Sequence, residues 1–222
     1  ELGLLQRTGL QYHWQNRGYG SFDEFLAALS SRKRKAIRKE RAVARQGLEI
    51  RALAGAEITP RHWQRFYGFY LTTVDKKWSR DYLTAEFFPL LGERLGDRVV
   101  LIVAEEEGEP IAAALNLRGR HALYGRNWGA AEERPFLHFE CCYYQAIDYA
   151  IRHGLERVEA GAQGEHKIQR GYLPVPTYSL HWIADPAFER AVEDFLSRER
   201  PAVAHHIEAL AETGPYRRED EG

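Results

Sequence analysis

From residue 47 onward, apolar and polar positions fall into short blocks with two distinct periods. "GLEIRAL" (47–53) alternates and predicts a strand. Residues 60–75 and 83–95 repeat at helical spacing and predict two helices, the second opening at Thr84 with Glu86 and Phe87 behind it. "DRVVLIVAEEEGEPIAAALNLRGRHALYGRNWG" predicts three strands, because its β-branched and apolar runs break at Glu107-Gly108 and Arg118-Gly119. A long helix is predicted over 137–153, ending at Gly154. "RVEAGA" then reads as a fifth strand, "HKIQRGY" as a short helical turn and "PTYSLHWIAD" as another strand. Residues 186–211 read as a charged amphipathic helix in which Pro201 predicts a kink or break. The order β-α-α-β-β-β-α-β-α-β predicts an α/β domain.

The first 46 residues do not share this rhythm. Residues 1–31 hold a strand and a helix whose partners are expected upstream, as the terminal elements of a preceding half. Residues 32–46 form a basic connector helix, with eight basic residues between Arg32 and Arg45 against the single acid Glu40. This helix reads either as a solvated connector or as a phosphate-binding face for tRNA, CoA or lipid headgroups. The main domain is then 47–213, and 214–222 is a polar tail. The chain of 222 residues begins at Glu1 and has no Met, so it is expected to be a piece of a longer protein.

Composition narrows the class without naming it. Charged residues at 28% and aromatics at 12% describe an ordinary folded protein, and a formal charge of −1 confines any attraction to polyanions to a local patch. Cys141 and Cys142 are adjacent on a predicted helix, where their side chains diverge, so a disulfide is not expected and a reducing cytoplasm is the natural compartment. No signal peptide or long apolar span is visible, which leaves peripheral contact with the inner membrane open.

Candidate chemistry concentrates in three stretches. In "FLHFECCYYQAIDYAI", Glu140 shares the apolar stripe with Tyr144, Ile147 and Ile151, while His138 lies nearly opposite. A carboxylate there needs a partner, and acts either as a cap or as a general base. "GAQGEHKIQRGY" (161–172) gathers Gln163, Glu165, His166, Lys167, Arg170 and Tyr172 around three glycines. Glu165 and His166 are proton acceptors, Gly161 and Gly164 free the backbone to approach a ligand, and Lys167 and Arg170 share a face as an anion clamp. In "LYGRNWG" (123–129), Arg126 and Trp128 alternate with Asn127 and point to one side of the sheet, one to hold an anion and one to wall a pocket. "DKKWSRDYLTAEFF" places Lys77 and Trp78 in an interhelical loop suited to a lid. His138 and Cys142 are four apart, but no paired metal-ligand signature accompanies them, and no metal site is assigned.

These stretches, with "SRKRKAIRKER", run in order through most of residues 11–210 and resemble the FemAB-like N-acyltransferases of bacteria, often labelled peptidoglycan biosynthesis proteins. The resemblance implies the GNAT (acyl-CoA N-acyltransferase) fold, an α/β sandwich in which helices flank a mixed, mostly antiparallel sheet, with this chain as the second half of a tandem-GNAT protein and the first half as its partner. It also implies acyl transfer to an amine of a cell-envelope precursor or lipid. Glu140, His166, Lys167 and Glu165 become catalytic candidates. Arg126, Trp128, His138, Gln163, Arg170, Tyr172, Lys77 and Trp78 become substrate-binding ones. Lys167 is similar in placement to the lysine of the Fem active loop. Where GNAT enzymes carry the CoA-binding Q/R-x-x-G-x-G/A loop, this chain has "AAEERPFLHFE". No tightly bound cofactor is expected. The donor is left among acyl-CoA, acyl carrier protein and aminoacyl-tRNA, the last two met through residues 32–45. The alternative is a non-catalytic binding module for cell-wall or lipid precursors.

Overall fold

The computed structural model describes residues 3–76 and 82–217. Seven strands form one sheet in the order β2-β3-β4-β5-β6-β1-β7. They are β1 (Leu5–Gln15), β2 (Glu49–Ala54), β3 (Val99–Glu106), β4 (Glu109–Arg118), β5 (Ala122–Ala130), β6 (Arg157–Glu159) and β7 (Leu173–His181). Every pairing is antiparallel except β5 with β6. The uninterrupted apolar run of β3 follows from its position. Val100, Ile102 and Ala104 face one core, Val99, Leu101 and Val103 the other, and a strand covered on both faces has no polar side to alternate with. The β3–β4 hairpin closes through Glu107 and Gly108, at φ 50° and 80°, the left-handed pair a two-residue turn requires.

Helices α3 (Pro60–Lys76) and α4 (Phe87–Leu95) cover one face of the sheet. The other face carries α1 (Phe22–Ala27), α2 (Ser31–Ala44) and a long helix made of α5 (Leu137–Phe139), a π-helical segment (Glu140–Tyr144) and α6 (Gln145–Arg152). Ser21 caps α1 by accepting from the Glu24 amide, and Glu24 reaches back to the Gly20 amide. The closing helix α7 (Pro186–Ala211) starts at an Asp185 cap and runs unbroken through Pro201, so the predicted break is absent.

The expectation that residues 1–31 find their partners upstream is corrected. β1 lies inside the sheet, with His13–Gln15 on β6 and Leu5–His13 on β7, and its Tyr12 and Trp14 are buried with Phe25 and Leu29 in the larger core. The supposed connector α2 packs against the same core through Ile37, and Tyr216 bridges back to Leu29. Burial of these aromatics ties both ends of the chain to the central domain.

Candidate active site

β6 ends at Glu159, paired with Tyr124, whereas β5 continues to Ala130. The parallel pair therefore opens beyond Tyr124, and the backbone of β5 past Gly125 has a strand partner on its β4 side only. A bulge sits at the opening: Leu115 opposes Asn127 and Asn116 opposes Gly125, leaving Arg126 as the extra residue. The period-two reading that put Arg126 and Trp128 on one side does not carry through this bulge. Arg126 is exposed, and Trp128 is half-buried against His138 with ring centroids 5.4 Å apart. Behind Trp128, helix α3 comes close enough that a Cβ on Gly129 would collide with the Phe69 backbone, and Thr73 donates to the Trp128 carbonyl (2.9 Å).

Residues 161–170 fold back on the end of β6, where Lys167 reaches the Ala160 and Gly161 carbonyls, and bring His166 against His138, which packs on Trp128 of β5. Gly161 and Gly164 have φ of 76° and 93°, and Glu165–Arg170 form a 3-10 turn. A Cβ at Gly164 would strike the His166 ring, so glycine is required there on two counts. His166 is exposed on one side, and its Nε2 is 3.1 Å from the Tyr143 hydroxyl. Burial, Arg170 and Lys167 lower its pKa below the ordinary histidine value, so the ring is neutral near pH 7. Burial raises the Tyr143 pKa, which keeps its hydroxyl protonated. His138, Phe139, Tyr143 and His166 form one aromatic cluster, with His138 and His166 centroids 6.3 Å apart. Gln163 and Glu165 are exposed at the rim.

Three sequence-predicted roles are corrected. Glu140 is fully buried, and its oxygens accept from Arg41 (3.0 Å), Arg45 (2.7 Å) and Gln145 (2.9 Å). Burial pushes its pKa up while Arg45 pulls it down. With no exposed lone pair it cannot receive a substrate proton, and it anchors α2 to the long helix instead. Lys167 and Arg170 form no anion clamp. Lys167 is 5% exposed and donates to the Ala160 and Gly161 carbonyls, with its pKa lowered by burial to about 8. Arg170 donates through Nη2 to both oxygens of Glu40 (2.9 and 3.0 Å) and through Nη1 to the His166 carbonyl (2.8 Å). Tyr172 is fully buried and donates to the Tyr143 carbonyl (3.0 Å), so it supports the site from beneath. Lys77 and Trp78 lie outside the described residues.

The site also contains residues that sequence reasoning passed over. Tyr143 meets His166 because the π-helical segment rephases the helix by one residue, which a 100° wheel does not anticipate. Glu40 was counted only as the lone acid of a basic run. Among the described residues no three His, Cys, Asp or Glu side chains cluster as a metal would require, and no helix is long and apolar enough to cross a membrane.

Solved structures share this architecture at low sequence identity. The C-terminal domain assigned to a lysylphosphatidylglycerol synthetase of Agrobacterium fabrum superposes with a TM-score of 0.62 at 11% identity, covering 88% of this chain and 66% of that one. FemX superposes with a TM-score of 0.60 at 11% identity over 83% of this chain and 64% of its own. L-PGS from Bacillus licheniformis superposes with a TM-score of 0.54 at 11% identity, with shares of 88% and 68%. The chain thus spans about two thirds of the length of these structures. No curated protein is similar enough in sequence to be matched to it. The FemAB-like family model, described as peptidoglycan biosynthesis/recognition, matches residues 1–218, and the chain belongs to that family.

Proposed function

We propose that this domain transfers an acyl or aminoacyl group from an activated ester or thioester to an amine of a cell-envelope precursor or lipid. One observation carries the reading: a neutral, partly exposed His166, held by Tyr143, lies beside His138, which packs on Trp128 of β5 past the point where the parallel pairing with β6 stops. With Nε2–H donated to the Tyr143 hydroxyl, the Nδ1 lone pair takes the proton of the attacking amine. The carbon–nitrogen bond forms, the ester or thioester bond breaks, and the departing oxygen or sulfur takes up a proton. Amide groups of β5 beyond Gly125 and of the Gly161–Gly164 turn are available to the oxyanion. Trp128 and His138 flank His166, and the exposed Arg126 and Gln163 are free to reach substrate. The exposed Arg32, Lys35 and Lys39 of α2 offer a phosphate-bearing donor a contact. FemX and the lysylphosphatidylglycerol synthetases share the fold, which favours an aminoacyl or acyl donor over other group transfers.

The test is to incubate the full-length protein with acyl-CoA, acyl carrier protein thioesters or aminoacyl-tRNA and envelope extracts, and to follow new amides by mass spectrometry. His166→Gln should lower turnover by about 10²-fold or more, because it removes the proton acceptor. The wild-type rate should rise with pH through a midpoint below 6.5, the ordinary histidine value, and level off near pH 7. Turnover by His166→Gln equal to wild type removes the mechanism.

A further inference from the structure

The stretch from Arg32 to Arg45 contains one acid, Glu40, and the fold turns it inward. Its carboxylate takes Arg170 through both oxygens and also accepts from the Tyr144 hydroxyl of the π-helical segment. Arg170 continues the chain of contacts. Its Nη1 holds the His166 carbonyl, and its guanidinium lies 3.5 Å from the Phe139 ring centroid, whose ring in turn rests on His166 at 5.4 Å. Arg170 is 8% exposed, and its Nε is buried with no partner among the described residues. The guanidinium is therefore fixed by what lies at its two ends, Glu40 and residue 166, and not by saturation of its donors.

We propose that Glu40 is a positioning residue which, through Arg170, sets the pose of the 165–170 turn and of the His166 ring it carries. Neither a cap nor a surface ion pair accounts for the arrangement. The pair is enclosed, its partners are 130 residues apart in sequence, and it ends on the backbone of the proposed base. The kinetic consequence rests on the acyl-transfer reading, whereas the spectroscopic consequence does not.

The experiment compares Glu40→Gln and Glu40→Asp with wild type in the full-length protein. The His166 titration is followed by NMR, amide exchange is measured across 165–170, and kcat and KM are determined in the transfer assay. The groups facing the ring are Lys167 and Arg170 on its own turn, Tyr143 from the π-helical segment, and His138 and Phe139 from α5. Once Arg170 loses its anchor the turn relaxes, so the His166 pKa should move up toward the ordinary histidine value and exchange across 165–170 should rise by about tenfold or more. The kcat should fall about tenfold or more with KM within about twofold, because the loss is one of geometry at the reacting atoms. Glu40→Asp keeps the charge but falls short of Arg170, and should behave like Glu40→Gln. If Glu40→Gln does not fold, Glu40→Asp alone decides. An unchanged His166 titration and unchanged local exchange would overturn the proposal, and so would faster exchange spread evenly over the domain. Shifts in both, with no transfer by wild type from any donor, would leave the positioning role standing and remove the acyl-transfer reading.

Discussion

Replacing Glu140 with Gln separates an anchoring role from a catalytic one, because the two roles predict opposite outcomes. The carboxylate has zero exposure and is shared by Arg41, which is 12% exposed, and Arg45, which is 44% exposed. Once the charge is gone, Arg45 can turn its guanidinium into water, but Arg41 remains enclosed. Removing one partner of a buried ion pair costs about 3–5 kcal/mol, and the escape of Arg45 places this case near the lower end, about 3 kcal/mol. Unfolding entropy of roughly 2.1 cal/mol/K per residue over 222 residues converts this to a Tm lower by about 6 °C. Circular dichroism melts should show that shift, while turnover per folded molecule stays within about twofold of wild type. Arg45→Ala should cost less than about 1 kcal/mol, since Arg41 still neutralises the carboxylate. A Tm within about 1 °C of wild type, together with a hundredfold loss of turnover, would refute the anchoring argument and return Glu140 to the chemistry.

Other consequences can be checked independently. Burial lowers the Lys167 pKa to about 8, so between about 8 and the ordinary lysine value the unfolded chain holds more protons than the folded one. Stability should therefore rise with pH from about 8 to 9.5 in wild type and not in Lys167→Met, as read from urea midpoints across that range; parallel profiles would contradict a buried ammonium. Burial raises both cysteine pKa values. The fully enclosed Cys141 should not react with a disulfide reagent until the protein unfolds, and Cys142→Ala should retain full transfer activity, whereas prompt labelling of Cys141 in the native protein would count against this packing. Gly129→Ala forces a methyl group into the Phe69 backbone, which cannot yield as a side chain can. It should destabilise at the upper end of the roughly 1–3 kcal/mol range for overpacking and disturb Trp128 fluorescence, and a neutral effect would mean that α3 and β5 are farther apart.

Local periodicity made much of the fold legible. The three central strands, the helices at 60–76 and 137–152, and the turn before β7 all follow from runs in which neighbouring residues agree on one conformation. The place of β1 was not legible, because eleven residues of mixed pattern say nothing about which strands they pair with, and their partners on β6 and β7 lie 142 to 176 residues downstream. The candidate site divides in the same way. Three glycines around a histidine marked residues 161–172 as a stretch of free backbone, and all three have positive φ, which is written in residue type. The roles of the charged residues within it were misread. Lys167 turns to the carbonyls ending β6, and Arg170 turns to Glu40. Helical spacing puts two cations on one face but cannot say that each already has a partner from elsewhere in the chain.

By itself, the sequence determined the alternation of strands and helices, the burial of an acid in the long helix and the backbone freedom of the 161–172 turn. Each of these is fixed by steric preference or by the cost of exposing apolar surface within a few residues. Only the tertiary structure decided that Arg41 and Arg45 neutralise Glu140, that a π-helical segment aims Tyr143 at His166, and that Glu40 pairs with Arg170. Electrostatic pairing is long-ranged along the chain and short-ranged in space. The same carboxylate is therefore a base or an anchor according to which distant residues the fold brings within about 3 Å of it.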